Sequence, residues 1–191
     1  MFLLTSMALW ADKRPNILFF LVDDMGIGDT SVPFLYKDGE PQKIELNDLY
    51  RTPNIAKLAE SGRIFTNAYS YSVCSPTRIS LMTGQSAPRH RVTTWTHPKQ
   101  SSIDTGLVKT GGIRSPADWR VKGLDHSLPL LPRLMKKTGY RTIFAGKAHF
   151  GPDDTPSGDP TNLGFDVNIA GIGGGGPGSY WGKDNYSAKH R

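Results

Sequence analysis

The sequence predicts an α/β fold with a largely parallel sheet, because strand-like and helix-like segments follow one another along the chain. Residues 16–22 form a continuous apolar run, which is typical of a strand buried on both faces of such a sheet. Residues 64–71 alternate loosely and contain β-branched and aromatic side chains, so they predict a second strand. Residues 141–145 predict a third strand.

Two helices are predicted from their start and stop signals. In the first, Thr52 can cap the helix, Pro53 suits its first position and Gly62 ends it. In the second, Pro76 lies in the first turn and Gly84 follows the last. This second helix begins directly after the predicted second strand, so its N-terminus is expected at an edge of the sheet.

A third helix is predicted over residues 128–138, where Lys136 and Lys137 complement the negative end of its dipole. Residues 30–51 are irregular and polar, which predicts loops. Residues 86–127 show little periodicity, so a long surface excursion is expected there. The remainder of the chain is rich in Gly and Pro.

The composition is that of an ordinary globular protein, with 191 residues, 37% hydrophobic and 21% charged. Its length suits one domain or part of a larger one. The formal net charge of +6 favours anionic partners, or belongs to a protein whose acidic remainder lies elsewhere. Nucleic acid is not expected as a partner, because the sequence shows no basic stripe and no aromatic platform.

Residues 1–11 predict the remnant of a secretory signal peptide, because they are mostly apolar, contain small residues and precede a charged stretch. A secreted or periplasmic location follows from that interpretation. A frayed hydrophobic N-terminus is the alternative, since the basic leading region of a signal peptide is missing. The run is too short to span a bilayer, which needs roughly 20 apolar residues, and no stable membrane insertion is expected.

Two adjacent carboxylates, Asp23 and Asp24, follow the first predicted strand. The carboxyl ends of parallel strands are where open α/β sheets bind ligands. Carboxylate oxygens suit a hard cation such as Ca²⁺. The pair therefore predicts metal ligands, with a solvated turn as the alternative.

The chain has one cysteine, Cys74, so no intrachain disulfide can form. The predicted elements place its thiol at the N-terminus of a helix, where free N–H groups and the helix dipole favour a bound anion. Arg78 lies one turn further on and can face the same site. These residues predict an anion-processing site, and a buried cysteine with a surface arginine is the alternative.

Lys147 and His149 follow the third predicted strand. In an extended segment, residues two apart point to the same face. A lysine can bind an anion as a point charge, and a histidine can move protons near neutral pH. The pair is a candidate for the same site, and two exposed loop side chains are the alternative.

The cysteine segment resembles the signature of the type I sulfatases. That signature runs Cys, any residue, Pro, any residue, Arg and extends to Leu and Thr-Gly, as in Cys74-Ser-Pro-Thr-Arg78 with Leu81 and Thr83-Gly84. Four further segments resemble the same family in the same order: Arg14-Pro-Asn-Ile-Leu with Asp23-Asp24, Thr52-Pro-Asn-Ile continuing to Tyr69, Gly139-Tyr-Arg-Thr with Gly146-Lys-Ala-His-Phe-Gly151, and Leu163-Gly-Phe-Asp166.

The resemblance implies an alkaline phosphatase-like fold, a three-layer α/β sandwich with a largely parallel central sheet, which is incomplete here. Residues 12–191 would be the N-terminal part of a sulfatase catalytic domain, truncated, because the family's second metal pair, second histidine and second lysine lie further on. Ala148 replaces the family's usual Trp and Thr77 its usual Ser, and neither change removes a reactive group.

The resemblance also implies a sulfuric ester hydrolase whose nucleophile is formylglycine, made from Cys74 by a formylglycine-generating enzyme. One hydroxyl of the hydrated aldehyde attacks sulfur and the alcohol leaves. The second hydroxyl then loses its proton, sulfate is eliminated and the aldehyde returns. A divalent cation, Ca²⁺ or alternatively Mg²⁺, would be held by Asp23, Asp24 and the modified residue.

By the same resemblance, Arg78 would hold oxygens of the formylglycine and the metal. Lys147 would bind sulfate and support charge on the leaving oxygen. His149 would contact the diol and take its second proton. The substrate would be a sulfated small molecule or a sulfated polysaccharide.

Three alternatives remain open. A phosphate or phosphonate monoester hydrolase would share the sheet and the metal carboxylates, and a non-catalytic calcium or polyanion binder would keep an unmodified thiol. Gly171-Ile-Gly173-Gly-Gly-Gly176 matches the dinucleotide-binding pattern. Pro177 and Gly178 follow that run, so no helix is expected to receive a pyrophosphate, and a flexible loop is predicted instead.

Overall fold

The computed structural model describes residues 14–96, 123–176 and 181. The chain divides into two units, Met1–Thr66 and Asn67–Arg191, and each is described by itself. The predicted signal peptide lies outside the described residues. Within the described part, no helix is both long and apolar enough to span a bilayer.

The first unit contains a hairpin and two helices. Strands β1 (Leu35–Lys37) and β2 (Glu40–Gln42) pair antiparallel, and they precede helices α1 (Leu46–Leu49) and α2 (Pro53–Ser61). The prediction of loops over residues 30–51 is therefore wrong for the hairpin and for α1, and it holds for the rest of that range. The missed signal is the Asp-Gly turn, whose two residues adopt φ of 53° and 86°, because paired positive φ angles match the twist of a hairpin.

Helix α2 begins and ends where its sequence signals predict. Pro53 is its first residue, and the N–H of Gly62 donates to Leu58 O at 2.8 Å after the last turn. Thr52 occupies the capping position, but its side chain does not cap the helix. Its hydroxyl accepts a hydrogen bond from the N–H of Ser31 at 2.9 Å instead, and so ties the helix to the preceding loop.

Two predicted strands are not formed. Residues 16–22 and 64–71 belong to no sheet, and their large apolar side chains are exposed, with Phe20 at 80% and Phe65 at 79%. An apolar run becomes a buried strand only when neighbouring strands satisfy its backbone groups. No described segment pairs with either run, so the prediction of burial is wrong for this structure.

The second unit has the strand-helix character of an α/β fold. Its elements are α3 (Cys74–Thr83), α4 (Ala87–His90), α5 (Leu131–Lys137), β3 (Ile143–Ala145), two 3₁₀ turns (Pro156–Gly158 and Pro160–Leu163) and β4 (Val167–Ile169). Strands β3 and β4 pair in parallel, with Phe144 opposite Asn168. The third predicted strand and the third predicted helix are thus confirmed, each somewhat shorter than expected. In the predicted surface excursion, α4 is a short helix, and residues 97–122 lie outside the described part.

A small apolar core positions the N-terminal end of α3. Its buried members come from α3, from the segments before α5 and after β3, and from the second 3₁₀ turn: Ile79, Met82, Val92, Leu124, Leu130, Ala148, Phe150 and Leu163. Phe144 of β3 packs edge-on against Phe150 and Phe165, with ring centroids 5.6 and 5.2 Å away. Burying each large side chain contributes about 1.5–3 kcal/mol, so this core anchors α3 against the segment that follows β3.

An ion pair joins α5 to the start of β4. Lys136 in the last turn of α5 lies 2.7 Å from Asp166, whose carboxylate also accepts from the N–H of Thr142 at 2.8 Å. The Lys136 ammonium, and then the hydrogen bonds from Thr142, lower the pKa of Asp166 from 3.8 to about 2. Lys137 lies in the same last turn, so both lysines stand where the helix dipole favours them.

Candidate functional site

Cys74 is the first residue of α3, as predicted. The preceding residue, Val73, is extended, and the helix ends ten residues later at Gly84, which adopts a left-handed φ of 66°. The thiol is half-buried and is not part of a disulfide. At this position the side chain lies beside the free N–H groups of the first helical turn.

His149 approaches the cysteine from the segment after β3. Its Nδ1 lies 3.1 Å from Cys74 Sγ, and its Nε2 lies 2.8 Å from the main-chain oxygen of Thr96. A carbonyl oxygen can only accept, so Nε2 carries the proton of the neutral imidazole. Nδ1 is then the acceptor that faces the thiol. With 4% exposure, the imidazole can take a proton from residue 74 without exchanging it freely with water.

The buried hydroxyl of Ser75 holds this arrangement together. It donates to the main-chain oxygen of His149 at 2.9 Å and accepts from the N–H of Thr96 at 3.0 Å. Because Thr96 in turn accepts from the imidazole, three residues form a closed circuit of hydrogen bonds. Neither Ser75 nor Thr96 was predicted as a functional residue, since nothing in their local sequence distinguishes a buried serine or threonine from an exposed one.

His149 has a backbone conformation that few side chains adopt. Its φ is 52°, in the left-handed region, and the extended backbone expected around Lys147 and His149 does not continue through this residue. Such conformations cost of order 1–3 kcal/mol and persist where surrounding contacts impose them. Here Ser75 holds the His149 carbonyl, and the His149 N–H donates to Ile172 O at 3.0 Å.

Arg78 joins the same helix to the same segment. Its Nη1 donates to the main-chain oxygen of Lys147 at 2.6 Å, and the residue is only 6% exposed. Lys147 itself is half-buried, two residues after the end of β3. The structure thus brings the side chains of Cys74 and His149 into contact and the Arg78 side chain against the main chain of Lys147, all through contacts between α3 and the 147–149 segment. Their chemical roles stay predictions.

Asp23 and Asp24 lie in the first unit, in an exposed turn after the apolar run. Asp24 has a φ of 55°, which the short Asp side chain tolerates better than most. Two carboxylates have the hard-oxygen chemistry that Ca²⁺ needs, but a calcium site takes six to eight oxygen ligands. The described residues assemble no group of three or more His, Cys, Asp or Glu side chains that could hold a metal. The two carboxylates alone do not make a complete metal site.

A second histidine and serine pair does not form a nucleophile. His90 Nε2 lies 2.9 Å from Ser80 Oγ, while the N–H of Val92 donates to His90 Nδ1 at 3.2 Å. Nδ1 is therefore the acceptor, and Nε2 donates to the serine hydroxyl. Burial lowers the pKa of His90, which keeps it neutral. The pair links α3 to α4 and cannot remove the serine proton.

The glycine run after β4 is packed, which makes the prediction of a flexible loop wrong. Gly171, Gly173 and Gly174 are buried. The side-chain amide of Asn168 brackets Gly171, donating to its oxygen and accepting from its N–H, both at 2.9 Å. No helix starts within residues 171–176, as expected from Pro177 and Gly178, which follow them.

A cysteine and a histidine in contact at a helix N-terminus define a candidate nucleophile and base of the kind that hydrolases use. The chain belongs to the sulfatase family: the family model described as Sulfatase matches residues 15–189. The resemblance read from the sequence is thereby confirmed.

Curated relatives and a solved structure agree. The chain is 37% identical to the N-acetylgalactosamine-6-sulfatase of Homo sapiens over 82% of this chain and 25% of that protein. It is 32% identical to the human steryl-sulfatase over 74% of this chain and 20% of that protein. The crystal structure of Ps i-CgsB in complex with k-i-k-neocarrahexaose superposes with a TM-score of 0.53 and 25% identity, over 88% of this chain and 30% of that one. The chain thus spans about a quarter of the length of these relatives.

Proposed function

We propose that the protein hydrolyses sulfate monoesters, with a formylglycine made from Cys74 as its nucleophile. The single observation that carries the proposal is the 3.1 Å contact between Cys74 Sγ and His149 Nδ1 at the start of a helix. The family match supports it, because the signature cysteine is the residue that makes this contact. Formylglycine supplies an aldehyde that hydrates to two hydroxyl groups on one carbon.

His149 is the proton acceptor in this proposal. A hydroxyl of residue 74 that replaces the thiol lies within reach of Nδ1, and in a neutral ring Nδ1 is the unprotonated nitrogen because Nε2 donates to the Thr96 oxygen. Transfer of that proton leaves an imidazolium, and the negative charge on the reacting oxygen then leaves with sulfate. An unmodified thiol has no second hydroxyl and cannot expel sulfate in the same way.

Sulfate binding falls to the N-terminus of α3 and to Lys147. The helix contributes free N–H groups and its positive dipole end, which favour an anion beside residue 74. The Lys147 ammonium acts as a point charge for sulfate and for the leaving oxygen. Arg78 binds the Lys147 carbonyl, so it holds the 147–149 segment against α3 and adds positive charge to the site.

A divalent cation, Ca²⁺ or Mg²⁺, is part of the proposal, with Asp23 and Asp24 among its ligands. Their paired carboxylates and the family match support this. Extensive dialysis against a chelator should abolish sulfate ester hydrolysis, and added Ca²⁺ should restore it. Asp24→Asn should raise the Ca²⁺ concentration needed for half-maximal activity. Activity that survives chelation would remove the metal from the proposal.

A sulfated saccharide is the proposed substrate class. One relative is named for a sulfated amino sugar, the superposed structure holds a hexaose, and the net charge of +6 suits a polyanion. Sulfated small molecules are the second candidate, because a steryl-sulfatase and an arylsulfatase are also relatives. We also propose that the protein is secreted or periplasmic, on the strength of the apolar residues 1–11.

The test uses the full-length protein, co-expressed with a formylglycine-generating enzyme. Mass spectrometry of the Cys74 peptide should show the aldehyde, and hydrolysis of an aryl sulfate should be faster than that of the matching aryl phosphate. Faster phosphate cleavage would favour a phosphate monoester hydrolase. An intact thiol in every copy, from the native host, would favour a non-catalytic binding protein.

Two histidine variants separate the proposed base from a structural residue. His149→Ala should lower kcat by about 10²–10⁴-fold, the usual contribution of general acid–base catalysis. His90→Ala is the matched control, because that histidine donates to Ser80 and has no contact with residue 74 among its hydrogen bonds. It should lower the melting temperature and leave kcat close to the wild-type value. Equal losses of kcat in both variants would contradict the assignment.

A further inference from the structure

The imidazole of His149 is enclosed by three groups from different parts of the second unit. Cys74 Sγ faces Nδ1 and the Thr96 carbonyl faces Nε2. The third group is the backbone of Gly175. A Cβ atom placed on Gly175 would lie 2.8 Å from Cε1 of the imidazole, 3.2 Å from Nδ1 and 3.3 Å from Nε2. Real Cβ atoms essentially never come as close as the first of these distances.

Position 175 leaves no room for a Cβ atom, whereas its backbone conformation does not itself need glycine. Its φ lies outside the left-handed region, so an alanine there would not be strained by the backbone itself. The next residue, Gly176, shares that property, but a Cβ atom on it would meet no atom of the described residues within 4 Å. The two adjacent glycines therefore differ in one respect, which is the presence of the imidazole beside the first.

The segment that carries Gly175 is held by two hydrogen bonds, one to the backbone of His149 and one to the side chain of Asp153. The oxygen of Ile172 accepts from the N–H of His149 at 3.0 Å, and the N–H of Gly173 donates to Asp153 Oδ1 at 2.6 Å. Moreover, a Cβ atom on Gly173 would collide with the main-chain oxygen of Gly151. These contacts restrain the backbone two residues before Gly175, so we expect a larger residue at position 175 to displace the imidazole.

We propose that Gly175 is a positioning residue that keeps the His149 imidazole in hydrogen-bond contact with both residue 74 and Thr96. The glycine pattern that resembles a dinucleotide motif then has a different purpose, which is close approach of a backbone to a reactive side chain. A displaced ring loses the Thr96 carbonyl or the side chain of residue 74. Loss of the former removes the group that keeps the proton on Nε2. The catalytic consequence rests on the proposed function, whereas the placement of the ring does not.

The experiment compares Gly175→Ala with Gly176→Ala in the full-length protein. In the wild type and in G176A, ¹⁵N spectra of histidine-labelled protein should show a His149 ring protonated on Nε2 only. In G175A the two ring nitrogens should show a mixture of tautomers. The kcat for sulfate ester hydrolysis should fall about 10²-fold in G175A, as for a misplacement of about 1 Å, and stay near wild type in G176A. A wild-type ring spectrum in G175A, or an equal loss of kcat in G176A, would overturn the proposal.

A double variant keeps the test decisive if G175A folds poorly. In His149→Ala/Gly175→Ala the ring is gone, so the Cβ atom at position 175 has room. The double variant should match H149A in melting temperature and residual kcat, because Gly175 acts only through the imidazole. A further loss in either quantity would refute the proposal. The ring spectra and melting temperatures can be measured without turnover. If they take the expected values while the wild-type protein shows no sulfatase activity, the proposed function is rejected and the positioning role of Gly175 is kept.

Discussion

Replacing Ser75 by alanine tests the hydrogen-bond circuit that holds the site. Ser75 is fully buried, and its hydroxyl makes two hydrogen bonds with main-chain groups, from the Thr96 N–H at 3.0 Å and to the His149 oxygen at 2.9 Å, and lies 3.3 Å from the Thr96 hydroxyl. Removing a partner from a buried polar group costs about 1–3 kcal/mol. For the two bonds together we expect a local cost of about 2–4 kcal/mol.

Hydrogen exchange at the Thr96 amide measures that cost where it arises. Exchange of a protected amide follows the free energy of the local opening that exposes it. A loss of about 2 kcal/mol corresponds to roughly 30-fold faster exchange, since 1.4 kcal/mol is a factor of ten. We therefore expect the Thr96 N–H to exchange at least about 30-fold faster in Ser75→Ala than in the wild type.

The control is Ser86→Ala, because Ser86 is exposed and its side chain makes no capping hydrogen bond to α4. It should leave exchange at Thr96 unchanged. Ser75→Ala should also lower kcat, because both anchors of His149 become looser. Unchanged Thr96 exchange in Ser75→Ala would refute the reasoning, since the hydroxyl would then not be what protects that amide.

Three further variants test the surroundings of the site. Asp166→Asn should lower stability at neutral pH, because it removes the ion pair with Lys136. The pKa of Asp166 is lowered from 3.8 to about 2, so the stability difference between wild type and variant should shrink between pH 4 and 2 and vanish below pH 2. Melting curves recorded against pH measure that difference. A deficit that is as large at pH 2 as at neutral pH would contradict the ion pair. Ile79→Ala should cost about 2–5 kcal/mol in denaturant unfolding, against much less for the partly exposed Leu81→Ala; equal costs would contradict the described core. Gly84→Ala should destabilise by about 1 kcal/mol through its left-handed φ of 66°, since its Cβ atom meets nothing, and a neutral result would show that α3 ends differently.

The helices could be predicted because their ends are local. Pro53 and Gly62 bound α2, and Gly84 ends α3, each by a property of its own backbone. The hairpin could also have been predicted, since its Asp-Gly turn is a local signal that the polar composition of residues 30–51 obscured. Burial of the apolar run at residues 16–22 could not be predicted in the same way, because it depends on which strands lie beside it.

In the candidate site, too, features with local signals could be predicted and contacts between distant residues could not. Cys74 at a helix N-terminus followed from Pro76 and the strand-like residues before it, but its contact with His149 joins residues 75 apart in sequence. The sequence alone offered His149 only as a candidate for the same site, and the family resemblance then implied its place beside residue 74. The roles of Ser75 and Thr96 could not be predicted, because they depend on burial and on the hydrogen-bond partners of their polar atoms, which residue spacing does not reveal.

The left-handed backbone of His149 sets stability against activity at that position. A glycine or asparagine would occupy a φ of 52° with less strain, so under the proposed function part of what histidine costs there is conformational energy that only catalysis requires. Engineering for heat resistance would therefore meet a conflict at this residue that it would not meet at Ile79 or Leu130. A stabilised version of this protein has to gain its stability elsewhere, because at residue 149 the relaxed backbone and the working site call for different amino acids.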